Sequence, residues 1–473
     1  MPAAPASRAR PARGQRARSD SKVRRGGDAL AAAGQSLEQR ILLTATLCLL
    51  AFGAVMVYSA SSATSLLQGQ GAGSGDLLKF LLYGAVGLVL MRLLARDGVA
   101  RAQSITAPLL FASFALVLAT RIPHVGVSVN GARRWIGPGQ LQFQPSELLK
   151  LALVLYSAAL LARRPARVHD LRELAKPLLL VVGAGCLLVF IQPDYGTAMV
   201  ILFTVCAMLV AAGMPLSKLA SLVGALLAVV LLYALVRPYA RARLTSFLDP
   251  WAHASSSGFQ AVQGQIAIGS GGLLGVGPGQ SVQKIFYLPE APTDFILAVI
   301  AEELGAAGVC ALLFLYGLIA YAGLRAAKAA RSLYSALIAV GVTSLILSQA
   351  ILNAFAVLGL APLTGVPLPF VSYGSSSLIV TLAGMGLLLN VAAGATGHVR
   401  AVPAPRRRSA RADGRSSADP RPPRVSLGRS ADAPARESAR WGREHSAQQD
   451  RDRSRRDRRA RRARAGGRRG AAG

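Results

Sequence analysis

Cysteine and histidine are scarce in this chain, which has four Cys and five His among 473 residues. The cysteines all fall in apolar runs, at Cys48, Cys186, Cys206 and Cys310. We therefore interpret them as small buried hydrophobic residues rather than as a disulfide or zinc framework. The glycine-rich pattern of a nucleotide-binding P-loop is missing as well. The hydroxyl cluster from Ser375 to Ser377 has no His and Asp partners, which argues against a serine hydrolase.

Acidic residues are also few, since 22 Asp and Glu stand against 53 Lys and Arg and give a formal net charge of +31. Hydrophobic residues make up 52% of the chain and charged residues only 16%, which is typical of polytopic membrane proteins. The basic residues are concentrated in the two tails and in loops between apolar runs. This pattern argues against nucleic acid as a partner and indicates cytoplasmic flanks beside anionic membrane lipid.

The apolar runs predict an all-α polytopic membrane protein with about ten transmembrane helices, because a helical span needs about 20 apolar residues. We place the spans at 41–59, 77–95, 104–119, 145–161, 177–191, 197–211, 217–236, 294–317, 333–355 and 377–395. The membrane domain then covers 40–397, between a disordered basic N-terminal tail (1–39) and a disordered Arg-rich C-terminal tail (398–473). The positive-inside rule predicts that both termini are cytoplasmic.

A large outer loop (237–293) is predicted between the seventh and eighth helices, and a connection of this length indicates a function. Within it, the segment from Gln260 to Ile268 is expected to form a short amphipathic or re-entrant piece. The loop leads to Asp294, which we expect at the start of the eighth helix. Backbone N–H groups and the helix dipole would stabilise a charged carboxylate there, although a simple helix cap is the competing interpretation.

Charged residues inside apolar runs are costly and usually functional. Glu147 and Lys150 lie three residues apart in the fourth span, so they share a helix face and can pair. Glu302 and Glu303 lie inside the eighth span. Asp194, in a turn between two spans, is expected to cap the sixth helix.

Neutral polar residues also fall near the predicted outer face. Gln349 and Asn353 in the ninth span are expected to hydrogen-bond between helices. The segment from Pro362 to Ser377 has three prolines and a hydroxyl cluster, and it can line an entrance. Asp294, several cations and an aromatic, glycine-rich loop thus fall on the predicted outer face, above a bundle with a polar interior. This combination indicates either an extracytoplasmic transferase for a lipid-linked substrate or a lipid transporter.

Six motifs resemble those of the SEDS family (shape, elongation, division and sporulation), the polytopic peptidoglycan glycosyltransferases of bacteria. The motifs are NGARRWIGPGQLQFQPSELLKLALV (130–154), QPDYGTA (192–198), RLTSFLDPW (243–251), GFQAVQGQIAIGSGGLLGVG (258–277), QKIFYLPEAPTDFILAVIAEELG (283–305) and LPFVSYGSSSL (368–378). They occur in the order of the family and cover nearly the whole predicted membrane domain. Within the family they look more like the division branch than the elongation branch.

The resemblance implies a reaction that joins lipid II disaccharide units into β-1,4 glycan at the outer face of the cytoplasmic (inner) membrane, at the division septum. Undecaprenyl diphosphate would leave with inversion at the donor sugar carbon. The essential aspartate of the family maps onto Asp294, as the base or the organiser of the acceptor hydroxyl. The implied partners are a class B penicillin-binding transpeptidase and other divisome proteins. A lipid II flippase and an elongation-type polymerase are the alternatives.

The resemblance also assigns expected roles to other residues. Substrate contacts are expected at Arg243, Lys284, Glu290 and Arg133. Support of the cavity is expected from Glu147, Lys150, Asp194, Glu302 and Glu303. A divalent cation (Mg²⁺ or Mn²⁺) could bridge the diphosphate, yet no His/Asp cluster in the sequence fixes a metal site. Two positions depart from the family pattern, because Pro292 stands where His is usual and Ser375 where Gly is usual.

Overall fold

The computed structural model of the protein describes residues 36–67, 69, 74–129, 132–137, 142–163, 175–236, 241, 245–256, 258–285, 287–288 and 290–396. Within these ranges the chain is mostly helical. The predicted disordered tails lie largely outside these ranges, and Arg243 lies outside them as well. The outer loop predicted at 237–293 is described only in part.

Ten α-helices occur in the described part of the chain. They are α1 (Leu37–Leu67), α2 (Gly75–Ala119), α3 (Pro145–Arg163), α4 (Leu180–Ile191), α5 (Tyr195–Ala211), α6 (Leu216–Val236), α7 (Phe259–Gly271), α8 (Ile296–Lys328), α9 (Leu333–Val357) and α10 (Ser375–Thr396). A π-helical turn (Ala175–Leu179) precedes α4. By length and composition, six of these helices can cross a membrane, namely α1, α2, α3, α8, α9 and α10. The segments Pro177–Ile191, Tyr195–Ala211 and Leu216–Ala225 are apolar but shorter.

A small antiparallel hairpin corrects the all-α prediction. Strands β1 (Gly126–Val129) and β2 (Ala132–Ile136) pair in the loop before α3, and Ile136 forms a further bridge with Phe143. Valine, isoleucine and tryptophan favour strands, and the Asn-Gly sequence at 130–131 is a strong hairpin signal. The sequence therefore contained the signal for this hairpin, but the search for long apolar runs does not detect it.

The core of the bundle is formed mainly by α3, α9 and α10, which are largely buried. Helix α2 lies against α10 and exposes large apolar side chains on its other face, including Leu78, Val89 and Phe111. An exposed apolar face of this length is expected to contact lipid. The prediction of four buried cysteines was wrong, because Cys48 and Cys310 are exposed on such apolar helices.

Helix α2 contains two of the predicted spans, one on each side of a kink at Asp97 (φ −130°, ψ 19°). The kink releases backbone groups from the helical hydrogen-bond ladder, and Asn390 of α10 binds them. Its Nδ2 donates to Ala95 O (2.9 Å) and Arg96 O (2.7 Å), and its Oδ1 accepts from Val99 N (3.3 Å). The side chain of Asn390 thus satisfies the backbone groups that the kink between the two predicted spans leaves open.

Helix α8 is also broken, at Gly305 (φ 64°, ψ −164°), a conformation available essentially to glycine alone. The glycine-rich loop that follows α7 inserts into the break. The amides of Ala306 and Ala307 donate to the carbonyls of Gly272 and Leu273 at 3.0 and 3.1 Å. On the other side of the break, the carbonyls of Glu302 and Glu303 accept from the amides of Val276 and Gly277 at 2.9 and 3.0 Å, so both ends are satisfied.

Substitution of Gly305 tests this arrangement. A Cβ atom built on Gly305 would lie 2.4 Å from Gly275 N, which no real Cβ contact shows. Together with the unfavourable backbone angles, Gly305→Ala is expected to lower the free energy of unfolding by about 2 kcal/mol or more. Denaturant unfolding in detergent measures this change.

The matched control is Gly317→Ala in the same helix, where a Cβ would meet no atom within 4 Å. It is expected to leave stability unchanged or to raise it by about 0.5–1 kcal/mol. Equal stability of the two variants would contradict the inserted-loop arrangement.

Candidate functional site

Asp294 lies in the turn directly before α8, and it is partly exposed. The helix begins at Ile296 with Phe295 as its N-cap residue, so it starts two residues later than predicted. Thr293 Oγ1 donates to Asp294 Oδ1 at 3.3 Å. The carboxylate therefore lies beside the N-terminal end of α8, where unpaired N–H groups and the helix dipole favour negative charge.

Asn353 of α9 holds the backbone at Asp294 in place. Its Nδ2 donates to Asp294 O at 2.7 Å and to Val366 O at 2.8 Å, and the residue is only 2% exposed. These two bonds join α9, the start of α8 and the loop between α9 and α10. The predicted bond between helices is not what Asn353 makes, because its partners lie in the turn before α8 and in a loop. The turn is the one that carries the candidate base.

The loop between α9 and α10 passes directly beside the carboxylate. A Cβ built on Gly365 (φ 67°) would lie 3.9 Å from Asp294 Oδ2, so the backbone of Gly365 forms a wall of the site. Gly196, at the start of α5, packs under the same loop. A Cβ there would lie 2.6 Å from Thr364 O and 2.5 Å from Val366 Cγ2, so only glycine allows this approach.

Asp194 organises the turn before α5. It is the N-cap residue of that helix, and its Oδ1 accepts from Thr197 N at 3.2 Å, which confirms the predicted cap. Gln144 Nε2 donates to Asp194 Oδ2 at 2.9 Å. The guanidinium group of Arg134 donates to the carbonyls of Gln192 (2.9 Å) and Pro193. Asp194 and Arg134 thus fix the turn on which the loop beside Asp294 rests.

Glu147 and Lys150 form the predicted ion pair inside the bundle. Lys150 Nζ lies 2.8 Å from Glu147 Oε1, and both side chains are almost fully buried. The lysine also donates to Gln349 Oε1 of α9 at 3.1 Å, which confirms the interhelical bond predicted for that amide. The pair therefore fixes α3 against α9 in the polar interior.

Lys284 and Glu303 form a second buried ion pair. Lys284 Nζ lies 2.7 Å from Glu303 Oε1 and also donates to Gly279 O (2.8 Å) and to Ser59 Oγ of α1 (3.1 Å). Neighbouring Glu302 accepts from Ser281 Oγ at 2.5 Å and from the amide of Val282 at 3.0 Å. These bonds hold the segment after the inserted loop against the break in α8.

The Lys284 cluster does not lie at Asp294. Glu303 is in the last turn before the break, and Asp294 precedes the first turn, so the two carboxylates are separated by roughly 12 Å of helix. The ammonium group of Lys284 is buried and its three protein partners surround it. The structure therefore separates Lys284, an expected substrate contact, from Asp294.

The other predicted substrate contacts lie at the surface or outside the described residues. Arg133 is exposed on β2. Glu290 is exposed four residues before Asp294, in a turn with φ 57°, and its Oε2 accepts from Thr293 Oγ1 at 3.0 Å. Arg243 lies outside the described residues. Glu290 thus lies near Asp294, since the hydroxyl of Thr293 bonds to both carboxylates.

Both departures from the family pattern take part in backbone contacts near the site. Ser375 Oγ donates to Gln142 O at 2.9 Å, a bond that glycine could not make. Pro292 O accepts from Tyr373 N at 2.9 Å. Burial, with Asp76 and Tyr83 nearby, raises the pKa of Tyr373 to about 12. Its phenol therefore stays protonated at neutral pH and does not compete with Asp294 as a proton acceptor.

Two residues that contact the predicted site residues, Ser59 and Thr364, were not singled out in the sequence. Ser59 bonds to Glu303 across 244 residues of sequence, and no local pattern marks it. Thr364 was included only as part of the loop predicted to line an entrance. Among the described residues, no group of three or more His, Cys, Asp or Glu side chains is arranged to hold a metal ion.

Comparisons with a family profile and with individual proteins point to the same family. The profile of the FtsW/RodA/SpoVE family, described as cell cycle protein, matches residues 39–396. The chain is 41% identical over 374 residues to a probable peptidoglycan glycosyltransferase FtsW of Thioalkalivibrio sulfidiphilus, covering 76% of this chain and 92% of the relative. It is 38% identical to stage V sporulation protein E of Bacillus subtilis, covering 74% and 96% of the two chains.

Solved structures show the same fold. One belongs to a study of how a peptidoglycan synthase complex coordinates polymerization and crosslinking. It matches with a TM-score of 0.61 and 33% identity over 74% of this chain and 96% of that chain. The rod shape determining protein RodA of Thermus thermophilus matches with a TM-score of 0.54 and 32% identity, over 74% and 95% of the two chains.

Substitutions in the buried pair of Lys284 and Glu303 test whether Lys284 has a structural role rather than a role in substrate binding. Lys284→Met would leave a fully buried carboxylate without its cation and is expected to lower the free energy of unfolding by about 3 kcal/mol. Adding Glu303→Gln should recover part of this loss. Lys79→Met, in the half-buried pair with Asp76, is the control and should cost less than about 1 kcal/mol. Unchanged stability of Lys284→Met would instead favour a contact with a ligand.

Proposed function

The chain belongs to the FtsW/RodA/SpoVE family, the SEDS proteins, and we propose that it polymerises lipid II into β-1,4 glycan strands during septal cell-wall synthesis. It is a peptidoglycan glycosyltransferase of the inner membrane. One observation carries the assignment of the site. Asp294, whose side chain is partly exposed, lies at the start of a membrane helix, and the buried amide of Asn353 fixes its backbone carbonyl there.

Asp294 acts as the base in this proposal. The acceptor 4-hydroxyl gives its proton to the carboxylate, and its oxygen attacks the anomeric carbon of the donor sugar. The bond from that carbon to the diphosphate breaks, so undecaprenyl diphosphate leaves and the configuration inverts. The proton then passes from Asp294 to solvent, which the partial exposure of the residue allows.

The remaining residues divide into contacts and supports. Arg133, Arg243 and Glu290 are the proposed substrate contacts, because two carry positive charge for the diphosphate and the third lies near Asp294. Lys284 supports the break in α8 instead, since contact with a diphosphate would remove it from Glu303. Further support of the cavity comes from Glu147, Lys150, Asp194, Glu302 and Glu303. The proposal places no divalent cation in the site.

We further propose ten membrane crossings with Asp294 at the outer face and both termini in the cytoplasm. The two halves of α2 each cross the membrane, and α4, α5 and α6 cross as well. Contacts at one end of the bundle support this topology. Ser36 Oγ, before α1, donates to Ala392 O in the last turns of α10, and Glu38 pairs with Arg325 at the end of α8 (3.2 Å). The basic loops fall at this end.

Cysteine labelling tests the topology. In a background without the four native cysteines, Ser255→Cys in the loop before α7 should react with a membrane-impermeant maleimide in intact spheroplasts. Arg331→Cys, in the turn before α9, should react only after permeabilisation. Both positions are exposed, so accessibility within the protein does not limit either reaction. Labelling of Arg331→Cys in intact cells would overturn the orientation.

A class B penicillin-binding transpeptidase is the proposed partner, with other divisome proteins around the pair. The structural similarity to a peptidoglycan synthase complex supports this partner. The transpeptidase would cross-link the glycan as it leaves the site. The basic tails would lie beside anionic lipid, and the complex would be enriched at the septum.

Polymerisation of purified lipid II by the protein with its cognate transpeptidase tests the function. Wild type is expected to make glycan chains. Asp294→Asn should lose at least about 10³-fold in rate, because it removes the proton acceptor. Asp76→Asn, an acid in the first turn of α2, is the control and should keep nearly full rate. If wild type binds lipid II but makes no glycan, while vesicles containing it move lipid II across the bilayer, a flippase would replace this proposal.

A further inference from the structure

A small pocket lies beside the candidate base. It is bounded by Asp294, Asn353, Thr364 and Gly365, and its remaining walls are apolar. Its volume of about 10 Å³ is close to the space that one water molecule or one hydroxyl group requires. A polar group bound there would lie between the carboxylate and the loop that connects α9 to α10.

Two of the residues that line the pocket, Asn353 and Thr364, carry a polar side-chain atom whose hydrogen-bonding capacity the protein does not use. In the described part of the chain, Asn353 Oδ1 and Thr364 Oγ1 are buried and have no hydrogen-bond partner. Asn353 is 2% exposed and Thr364 is 6% exposed, so bulk water does not reach them freely. Buried polar atoms are nearly always hydrogen-bonded, so two unpartnered atoms on residues that line one small pocket point to a bound polar group.

The hydrogen bonds of Asn353 determine which chemistry fits. Its amide nitrogen is fixed by two carbonyl acceptors, Asp294 O and Val366 O, so the amide cannot be turned around. Its oxygen therefore offers an acceptor. The hydroxyl of Thr364 can donate, which gives one acceptor and one donor. A hydroxyl group matches this pair, because it donates one proton and accepts through its oxygen.

We propose that Asn353 and Thr364 form a hydroxyl-binding subsite beside Asp294. The bound hydroxyl donates to Asn353 Oδ1 and accepts from Thr364 Oγ1. This inference rests on the proposed glycosyltransferase function and adds two binding residues to it. The hydroxyl belongs either to the acceptor sugar or to a water molecule that contacts the carboxylate, and both sources share this chemistry.

Removal of one hydroxyl group from the protein tests the subsite. Thr364→Val keeps the shape of the side chain but cannot donate, and it is expected to lower kcat/KM for lipid II about tenfold, the value of one hydrogen bond. Thr364→Ser keeps the hydroxyl and should stay within about twofold of wild type. The thermal midpoint in detergent is measured for every variant, so that a folding defect is recognised.

The matched control is Thr343→Val on α9. Thr343 is also fully buried, and its hydroxyl also has no partner among the described residues. Thr343 precedes Asn353 by ten residues on α9, and its side chain faces Gly323 of α8, away from the pocket. This variant should keep the wild-type kcat/KM, because its hydroxyl does not take part in the subsite.

The kinetic constants distinguish the two sources. A higher KM for lipid II in Thr364→Val, with kcat unchanged, assigns the hydroxyl to the sugar. A lower kcat with a changed pH profile and an unchanged KM assigns it to water. The subsite is overturned if Thr364→Val matches wild type, if Thr364→Ser is equally impaired, or if Thr343→Val loses as much. In those cases wild-type glycan synthesis and its loss in Asp294→Asn still stand, whereas an inactive wild type would refute the proposed function itself.

Discussion

Backbone hydrogen bonding across the break in α8 is the constraint on which the surrounding structure depends. A peptide group at membrane depth cannot be left without a partner, so a helix can be interrupted there only if other backbone groups enter the break. The loop after α7 supplies these groups. It must be rich in glycine, since a Cβ on Gly275 would lie 2.1 Å from Glu303 O. The close approach of this loop to α8 thus explains why Gly271 and Gly275 of the motif are glycines.

The positions of the charges follow from the same insertion. Ser281 and Lys284 come directly after the inserted loop, which brings them to the last turn before the break, where Glu302 and Glu303 lie. The short helical piece from Ile296 to Leu304 then sets the distance between this cluster and Asp294. One end of the piece is fixed by buried ion pairing, and the other presents a carboxylate to the surface. A rigid support of this kind orients a catalytic group without contacting it.

Much of the helical architecture could be predicted from apolar runs, because hydrophobic length is a strong signal in membranes. Local chemistry was also readable, as the cap by Asp194 and the pair of Glu147 and Lys150 show. The distance of Lys284 from Asp294 could not be predicted, since proximity in sequence does not fix the path of a loop. The contact of Ser59 with Glu303 and that of Gly196 with Thr364 join distant segments. Neither contact leaves a local pattern.

The bond between Ser36 and Ala392 brings the start of the first helix and the end of the last one to the same place. The two ends of the bundle therefore lie side by side. A short linker could join the two ends, and new ends could open at a surface loop without separating any packed pair of helices. A reporter fused to either end of residues 36–396 would begin within a few residues of the same point.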